Sequence, residues 1–199
     1  MSLPNHLVVF AKEPRLGRVK SRLARDIGTV PAWAFYRQTL NAVLRRLGSG
    51  GHWQSWLAVA PDAAVAVHRH WPRGWSVIGQ GPGDLGHRMG RIMRGLPPGP
   101  AVIIGTDIPH ISRRHISQAF EALGRHDAVF GPAADGGYWL VGLKRRPCIP
   151  ELFDHVRWSG PHALADTMAN LDAKQTVFML ETLEDVDDAV SHARWKKGR

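Results

Sequence analysis

Residues 101–109 read Ala101-Val102-Ile103-Ile104-Gly105-Thr106-Asp107-Ile108-Pro109, an apolar run that ends in one carboxylate shortly before a proline. Consecutive apolar residues at 101–104 predict a strand buried on both faces, as in a parallel sheet covered by helices. Open α/β sheets bind ligands beyond the carboxyl ends of their strands, where Asp107 stands. Pro109 disfavours helical geometry at Ile108 and so holds the carboxylate in a turn. Asp107 is therefore either a ligand-binding residue or the N-cap of the next helix.

Strand-like and helix-like segments alternate along the whole chain, which predicts a mostly parallel sheet with helices on both faces. Residues 138–143 follow residues 128–130 too closely for a helical crossover, so we expect mixed pairing there. We predict strands at residues 6–11, 55–60, 75–79, 101–106, 128–130, 138–143 and 176–180, and helices at residues 32–47, 63–70, 85–96, 113–123, 151–155, 162–171 and 184–194.

Length and composition predict one globular domain. With 199 residues and 44% hydrophobic composition, residues 1–199 can bury a core as a single unit. The one cysteine, Cys148, excludes an internal disulfide and a Cys-rich zinc site. The first residues lack the pattern of a secretory signal, and no apolar run approaches the roughly 18 residues of a membrane span. We therefore expect a cytoplasmic protein without a membrane span.

The net charge of +9 is spread along the chain, with a small excess at the C-terminus. We find no dense basic tract and no ladder of aromatic residues of the kind that stacks single-stranded nucleic acid. We therefore expect anionic small molecules, rather than nucleic acid, as partners.

Two lysines and three arginines occur in residues 10–23, Phe10-Ala11-Lys12-Glu13-Pro14-Arg15-Leu16-Gly17-Arg18-Val19-Lys20-Ser21-Arg22-Leu23. A predicted strand runs into a basic loop and then into a helix, which offers backbone N–H groups and cationic side chains to a phosphate. The segment lacks the glycine spacing of a Walker loop. Because it leaves the end of the first strand, phosphate binding is favoured over a merely exposed basic loop.

Residues 81–86, Gly81-Pro82-Gly83-Asp84-Leu85-Gly86, match the G-x-G-x-x-G pattern of dinucleotide folds. Asp107 even lies about where the ribose-binding acid of such a fold would stand. However, Pro82 has no N–H to donate to a pyrophosphate, and the motif follows two earlier strand–helix units. A nicotinamide or flavin site is therefore disfavoured.

Two further segments are candidates for chemistry. In Asp135-Gly136-Gly137-Tyr138 the glycines form a tight turn that a ligand could approach closely, although an ordinary hairpin turn has the same pattern. The acids of Glu184-Asp185-Val186-Asp187-Asp188 have two interpretations. They are stabilised by a helix dipole at the start of a helix, or they bind a divalent cation that relieves their mutual repulsion. Mg²⁺ takes one or two carboxylates plus substrate phosphates, so Asp107 with one of these acids would suffice.

Together these segments resemble the DUF2064 group of glycosyltransferase-A-like (GT-A-like) proteins, relatives of phospholactate guanylyltransferase and molybdenum-cofactor guanylyltransferase. The matching stretches, residues 10–23, 83–89, 105–109, 135–138 and 185–187, occur in the family's order. The resemblance implies a three-layer α/β/α nucleotide-diphospho-sugar transferase fold that binds a nucleotide at the strand ends with Mg²⁺ or Mn²⁺.

The resemblance also implies roles for individual residues. Ser21, Gly160 and Asp188 stand where the family commonly has threonine, and Asp188 adds a third carboxylate that leaves the second metal ligand open. The implied metal ligands are Asp107, Asp187 and Asp185, and the implied catalytic residues are Asp107, Lys20 and Asp135. The implied nucleotide-binding residues are Ala11, Lys12, Gly17, Lys20, Arg22, Gly83, Asp84, Arg88 and Thr106. The implied acceptor-binding residues are Asp135, Gly136, Gly137 and Tyr138.

The sequence thus favours a metal-dependent transferase that uses an activated nucleotide, first of all a glycosyltransferase acting on a nucleotide sugar. The alternatives are a nucleotidyltransferase that uses a nucleoside triphosphate, and a non-catalytic protein that binds nucleotides or nucleic acid. The expected partners are a nucleotide sugar or a nucleoside triphosphate, together with an acceptor that the sequence does not identify.

Overall fold

The computed structural model describes residues 3–48, 50–67 and 71–197. The described strands are β1 (Asn5–Lys12), β2 (Trp53–Ala60), β3 (Ser76–Gly79), β4 (Ala101–Ile104), β5 (Ala128–Pro132), β6 (Tyr138–Leu143) and β7 (Val177–Met179). The described helices are α1 (Ser21–Ile27), α2 (Thr29–Leu47), α3 (Leu85–Gly95), α4 (Arg113–Leu123), α5 (Ala163–Ala169) and α6 (Ala189–Lys197), with a 3₁₀ helix at Asp62–Ala66.

All the described strands form one sheet in the order β3-β2-β1-β4-β6-β5-β7. β6 runs antiparallel to both of its neighbours, and the other pairings are parallel. The predicted mixed pairing around residues 138–143 is thereby confirmed. The chain leaves β1 for β2 and β3 on one side and returns to β4 on the other, which opens a crevice at the carboxyl ends of β1 and β4.

The central strands are buried on both faces, as their continuous apolar runs predict. In β1, Leu7 and Val9 pack in a core shared with α2 and α4, whereas Val8 and Phe10 pack in a second core with α3. Strand residues alternate between the faces, so one apolar run supplies both cores. The result is the predicted three-layer α/β/α arrangement.

Three predicted helices differ from the structure. Residues 151–155 form turns, and the buried side chains of Leu152 and Phe153 pack in the α3 core. The last helix begins at Ala189 rather than 184, because backbone groups before it bond to β5 and to the turn after β4: Leu183 N–H donates to the Pro132 carbonyl at 3.1 Å, and Val186 N–H donates to the Asp107 carbonyl at 3.2 Å. The helix predicted at residues 63–70 is a 3₁₀ helix at Asp62–Ala66, and residues 68–70 lie outside the described part of the chain.

Within the described ranges, none of the helices combines the length and the apolar character that crossing a membrane requires.

Candidate active site

A cleft of about 580 Å³ opens where β1 and β4 end. The end of β1, the turn after β4, the first turns of α1 and α3, and the start of β6 all contribute to its lining. Its charged lining residues are four cations and two anions: Lys12, Lys20, Arg22, Arg88, Asp107 and Asp187. Because the cations are in excess, the cleft favours a polyanionic ligand.

The end of β1 is fixed by a tyrosine from α2. Tyr36 accepts a hydrogen bond from the Lys12 N–H and donates one to the Lys12 carbonyl, both at 2.8 Å. Burial raises the pKa of the Tyr36 hydroxyl, so this group remains a neutral donor and acceptor. On the other side of the strand, Gln80 donates to the Ala11 carbonyl at 3.2 Å. The backbone at the cleft's edge is therefore held from two sides.

Lys20 is the most enclosed charge of the cleft. It is the N-cap of α1 and adopts a left-handed conformation, with φ of 49° and ψ of 48°. Its side chain is only 5% exposed, and its ammonium donates to Asp107 Oδ1 at 2.6 Å, to Asp187 Oδ1 at 2.7 Å and to the Val186 carbonyl at 2.9 Å. A non-glycine residue in this backbone region is uncommon, and here it accompanies a side chain that joins three distant parts of the chain.

The two carboxylates reach Lys20 from turns that are tied together. Asp107 follows β4, and its carbonyl accepts the Val186 N–H, which brings the segment of Asp187 alongside. The turn after Asp107 is held by Arg46, whose guanidinium donates to the carbonyls of Pro109 at 2.9 Å and Ile111 at 2.5 Å. The placement of Asp107 and Asp187 thus rests on backbone contacts and on Arg46, and not on their own side chains alone.

The charges of this cluster shift the pKa values of its members. Burial by itself lowers the pKa of Lys20, but attraction to Asp107 and Asp187 outweighs it and leaves that pKa above its ordinary value. Burial, together with the negative charges of Asp187 and Asp135, raises the pKa of Asp185 to about 6. Asp185 therefore keeps its proton more readily than an ordinary aspartic acid, because other carboxylates lie near it.

The acids suit a divalent cation held jointly with phosphate. Among the described residues, no three His, Cys, Asp or Glu side chains form a group that could hold a metal ion by themselves. Asp107 and Asp187 nevertheless direct one oxygen each at a single cation, the Lys20 ammonium. Mg²⁺ is typically held by one or two carboxylates together with substrate phosphates and water, so two carboxylate oxygens in a cleft rich in cations suit such an ion.

The structure brings many of the residues proposed from the sequence together in the cleft, but not all of them. The proposed residues that line the cleft are Ala11, Lys12, Lys20, Arg22, Arg88, Thr106, Asp107, Tyr138 and Asp187. The proposed residues that do not contribute to its lining are Gly17, Gly83, Asp84, Asp135, Gly136, Gly137 and Asp185. Some of the latter support the site indirectly. Asp84 caps α3 by accepting the His87 N–H at 2.9 Å, and Arg88 donates to the Gly83 carbonyl at 2.8 Å.

Gln80 and Tyr36 are polar lining residues that we did not predict from the sequence. Gln80 directly follows a strand, as Asp107 nearly does, and this position is a signal from which it could have been predicted. Tyr36 lies on the apolar face of α2 among core residues, and nothing in the helical pattern distinguishes its hydroxyl from that of a core tyrosine.

Ser159 brings residues 150–162 to the cleft, and a salt bridge holds this segment in place. Arg157 donates two hydrogen bonds to the Asp166 carboxylate, both at 2.8 Å, while Ser159 lines the cleft. These hydrogen bonds hold the pKa of Asp166 well below its usual range.

Because the pKa of Asp166 is lower in the folded state, its contribution to stability is fully present above the unfolded pKa of about 4 and is lost as the pH falls. We expect Arg157→Met to lower the free energy of unfolding at pH 7, and this difference from the parent protein to narrow below about pH 4. Urea unfolding at pH 7, 5 and 3 measures it, with Arg125→Met as the control for loss of an exposed arginine. A difference that does not change with pH would attribute the loss to packing instead.

Comparison with known sequences assigns the family. Residues 43–160 match the family described as uncharacterised protein conserved in bacteria, DUF2064. The chain belongs to this family. The match includes β4, the turn that carries Asp107 and the 135–138 turn, and it leaves out the basic loop and the segment of Asp187. No curated protein sequence matches the chain.

Solved structures share the fold over nearly the whole chain. A protein from Desulfovibrio desulfuricans G20, provisionally described as a nucleotide-diphospho-sugar transferase, is 29% identical with a TM-score of 0.84, covering 94% of this chain and 84% of its own. Rv0371c from Mycobacterium tuberculosis H37Rv, in complex with manganese, is 16% identical with a TM-score of 0.56, covering 99% and 100%. CMP:2-keto-3-deoxy-manno-octonic acid synthetase, in complex with CTP, is 12% identical with a TM-score of 0.60, covering 98% of each chain.

Proposed function

We propose that the protein is a metal-dependent transferase that acts on a nucleotide-diphospho-sugar. The observation that carries the proposal is the convergence of Asp107, Asp187 and Lys20 in a cleft with excess positive charge. Carboxylates alone would repel a diphosphate, and cations alone would leave the paired acids unexplained. A divalent cation held by acids and phosphates together accounts for both.

In this proposal the cationic side chains of the cleft bind phosphate and the acidic side chains bind the metal. Lys12, Arg22 and Arg88 bind the phosphates, since guanidinium and ammonium groups pair well with phosphate oxygens. Asp107 and Asp187 hold Mg²⁺ or Mn²⁺, which when bound neutralises the negative charge that develops on the leaving phosphate. Lys20 contacts both acids, and Arg22 also lies 3.7 Å from Asp187 Oδ2, so the cations and the acids of the cleft adjoin one another.

We place the acceptor on the side of residues 135–138. Tyr138 lines the cleft at the start of β6, and its hydroxyl lies 3.4 Å from the Thr167 hydroxyl. Asp135 uses one carboxylate oxygen to accept the Gly137 N–H at 2.9 Å, which leaves the other oxygen for an acceptor hydroxyl. In this proposal Asp135 orients or deprotonates that hydroxyl.

The glycosyl reaction is supported by the D. desulfuricans protein, which shares 29% identity and is provisionally described as a nucleotide-diphospho-sugar transferase. Nucleotidyl transfer from a nucleoside triphosphate is the second candidate, because the same fold holds CTP in the synthetase. The two reactions break different bonds beside the same metal.

A thermal-shift panel tests the proposal. The protein is heated with GTP, CTP, UTP and nucleotide sugars, each with and without Mn²⁺. We expect at least one nucleotide or nucleotide sugar to raise the melting temperature in a Mn²⁺-dependent manner. Stabilisation by tRNA or DNA, with none by any nucleotide, would overturn the transferase proposal.

Product analysis separates the two reactions. A donor labelled in its sugar gives a labelled acceptor in glycosyl transfer, whereas a triphosphate labelled in its α-phosphate gives a labelled product and pyrophosphate in nucleotidyl transfer.

A further inference from the structure

We propose that Lys20 is a resident counter-ion, which occupies the cation position between Asp107 and Asp187 and releases it only when the phosphates of a donor offer its ammonium another partner. The inference rests on the proposed function and concerns the loading of that same site. It makes metal binding dependent on the nucleotide.

The Lys20 ammonium occupies the position between the two acids. It lies 2.6 Å from Asp107 Oδ1 and 2.7 Å from Asp187 Oδ1, the carboxylates that would hold a divalent ion in the proposed function. With the Val186 carbonyl at 2.9 Å as third acceptor, all three ammonium protons have a partner. Lys20 is thus satisfied within the protein and is not a loosely tethered phosphate ligand.

The charge of Lys20 is only part of what the two acids can accept. Two carboxylates and one ammonium leave a single net negative charge, which the Arg22 guanidinium, 3.7 Å from Asp187 Oδ2, offsets in part. The Lys20 side chain is 5% exposed, whereas that of Asp107 is 55% exposed, so a cation from solvent can reach the acids. A divalent ion on the same oxygens would lie within a few ångströms of the ammonium and repel it. Lys20 and the metal therefore exclude one another at this position.

The phosphates of a donor would offer the Lys20 ammonium another partner in the same cleft. Lys12 and Arg22 also line this cleft and provide further cations for those phosphates. The side chain of Lys20 is a flexible four-carbon chain, so its ammonium can move from the carboxylates to a phosphate oxygen without movement of the helix. Asp107 and Asp187 would then be free to hold a divalent cation together with the phosphates, and that cation would replace the positive charge of Lys20.

The inference predicts opposite effects of one substitution on two ligands. In Lys20→Met, Mn²⁺ alone should bind about tenfold more tightly than in the parent protein, because its competitor is gone. The Mn²⁺-dependent affinity for the nucleotide should fall, because a phosphate-binding cation is gone. A residue that served only to keep the cleft folded would weaken both.

The experiment titrates Mn²⁺ without nucleotide and follows free Mn²⁺ by electron paramagnetic resonance in the parent protein, Lys20→Met and Lys12→Met. Lys12 lines the same cleft and has no acidic partner among the described residues, so Lys12→Met controls for the general loss of positive charge. We expect the Mn²⁺ affinity of Lys12→Met to remain within about twofold of the parent. Lys20→Arg keeps the charge and should bind Mn²⁺ as weakly as the parent.

The outcomes separate the inference from the proposed function. If Lys20→Met binds Mn²⁺ no more tightly than the parent, while nucleotide still binds in a Mn²⁺-dependent manner, the counter-ion role is overturned and the proposed function stands. If neither protein binds Mn²⁺ or nucleotide, both fall. Circular dichroism reports folding, and Lys20→Gln, which retains a hydrogen-bond donor without the charge, replaces Lys20→Met if the latter does not fold.

Discussion

We expect Asp107→Asn to lower the Mn²⁺-dependent affinity for nucleotide by about 100-fold or more, which corresponds to roughly 2.8 kcal/mol. The substitution keeps the size of the side chain but removes one of the two charges that hold the cation. An amide oxygen is a weak substitute, because the site contains only two carboxylates and the cations around them repel a metal. Isothermal titration of nucleotide with and without Mn²⁺ measures the loss.

The fold should survive this substitution. The Asp107 side chain is 55% exposed, and the hydrogen bond that ties its turn to Val186 uses the backbone carbonyl, which the substitution leaves in place. Lys20 keeps Asp187 and the Val186 carbonyl as acceptors. The loss of an ion pair that is partly open to water costs about 1 kcal/mol or less.

Asp185→Asn is the matched control, since it makes the same change in charge close to Asp187 at a residue that does not line the cleft. We expect its Mn²⁺-dependent affinity to stay within about threefold of the parent protein. If Asp185→Asn loses affinity and Asp107→Asn does not, the assignment of Asp107 as the metal ligand is refuted.

The sheet could be predicted from the sequence because its central strands are continuous apolar segments, which are recognised from their own residues alone. The run at 101–104 is apolar throughout, and three of its four residues are β-branched, which favours a short strand covered on both faces. Asp107 follows this strand at its carboxyl end, where the cleft opens.

The start of α6 could not be predicted in the same way. The acids at 184–188 suit the first turn of a helix, but the backbone before Ala189 is held by β5 and by the turn after β4. Those contacts are made by residues far apart in the chain. A local helical preference was therefore overruled by tertiary hydrogen bonds, which no window of sequence contains.

The position of Lys20 is the largest difference between the sequence reasoning and the structure at the site. A basic loop at a strand end predicted a phosphate-binding lysine, and repulsion among the C-terminal acids predicted a cation near Asp187. In the structure the Lys20 ammonium itself lies against Asp107 and Asp187, and its backbone is in a left-handed conformation that glycine or asparagine would ordinarily mark. The sequence did not connect the basic loop with these acids, because the contact joins residues far apart in the chain.

In the turn at residues 135–138, one glycine makes a close contact within the protein itself. The glycines predict a backbone that another group can approach closely. At Gly136 the approaching group is Pro161 of the same chain: an added Cβ would lie 2.6 Å from the Pro161 Cα and closer still to its carbonyl oxygen. Gly136 thereby joins the turn before Tyr138 to the segment that carries Ser159.

We expect Gly136→Ala to lower the free energy of unfolding by about 2–4 kcal/mol. The φ of 86° disfavours any side chain, and the new methyl group would collide with backbone atoms that cannot move aside as a side chain would. Hydrogen bonds from Gly136 N–H to the Ala133 carbonyl and from Leu164 N–H to the Gly136 carbonyl, at 3.2 and 3.1 Å, keep the residue from rotating away. Urea unfolding at neutral pH measures the loss.

Gly160→Ala is the control, because Gly160 lies next to Pro161 but has open space within 4 Å of its added Cβ and no left-handed φ. We expect its stability to remain within about 0.5 kcal/mol of the parent protein, or to rise slightly, since alanine restricts the unfolded chain more than glycine does. The rings of Tyr138 and Trp158 pack edge to face with their centroids 6.4 Å apart. Their near-ultraviolet circular dichroism should therefore change in Gly136→Ala and stay the same in Gly160→Ala. Equal stability of the two variants would mean that the turn and the Ser159 segment can separate at little cost, and that Gly136 is kept free for a ligand instead.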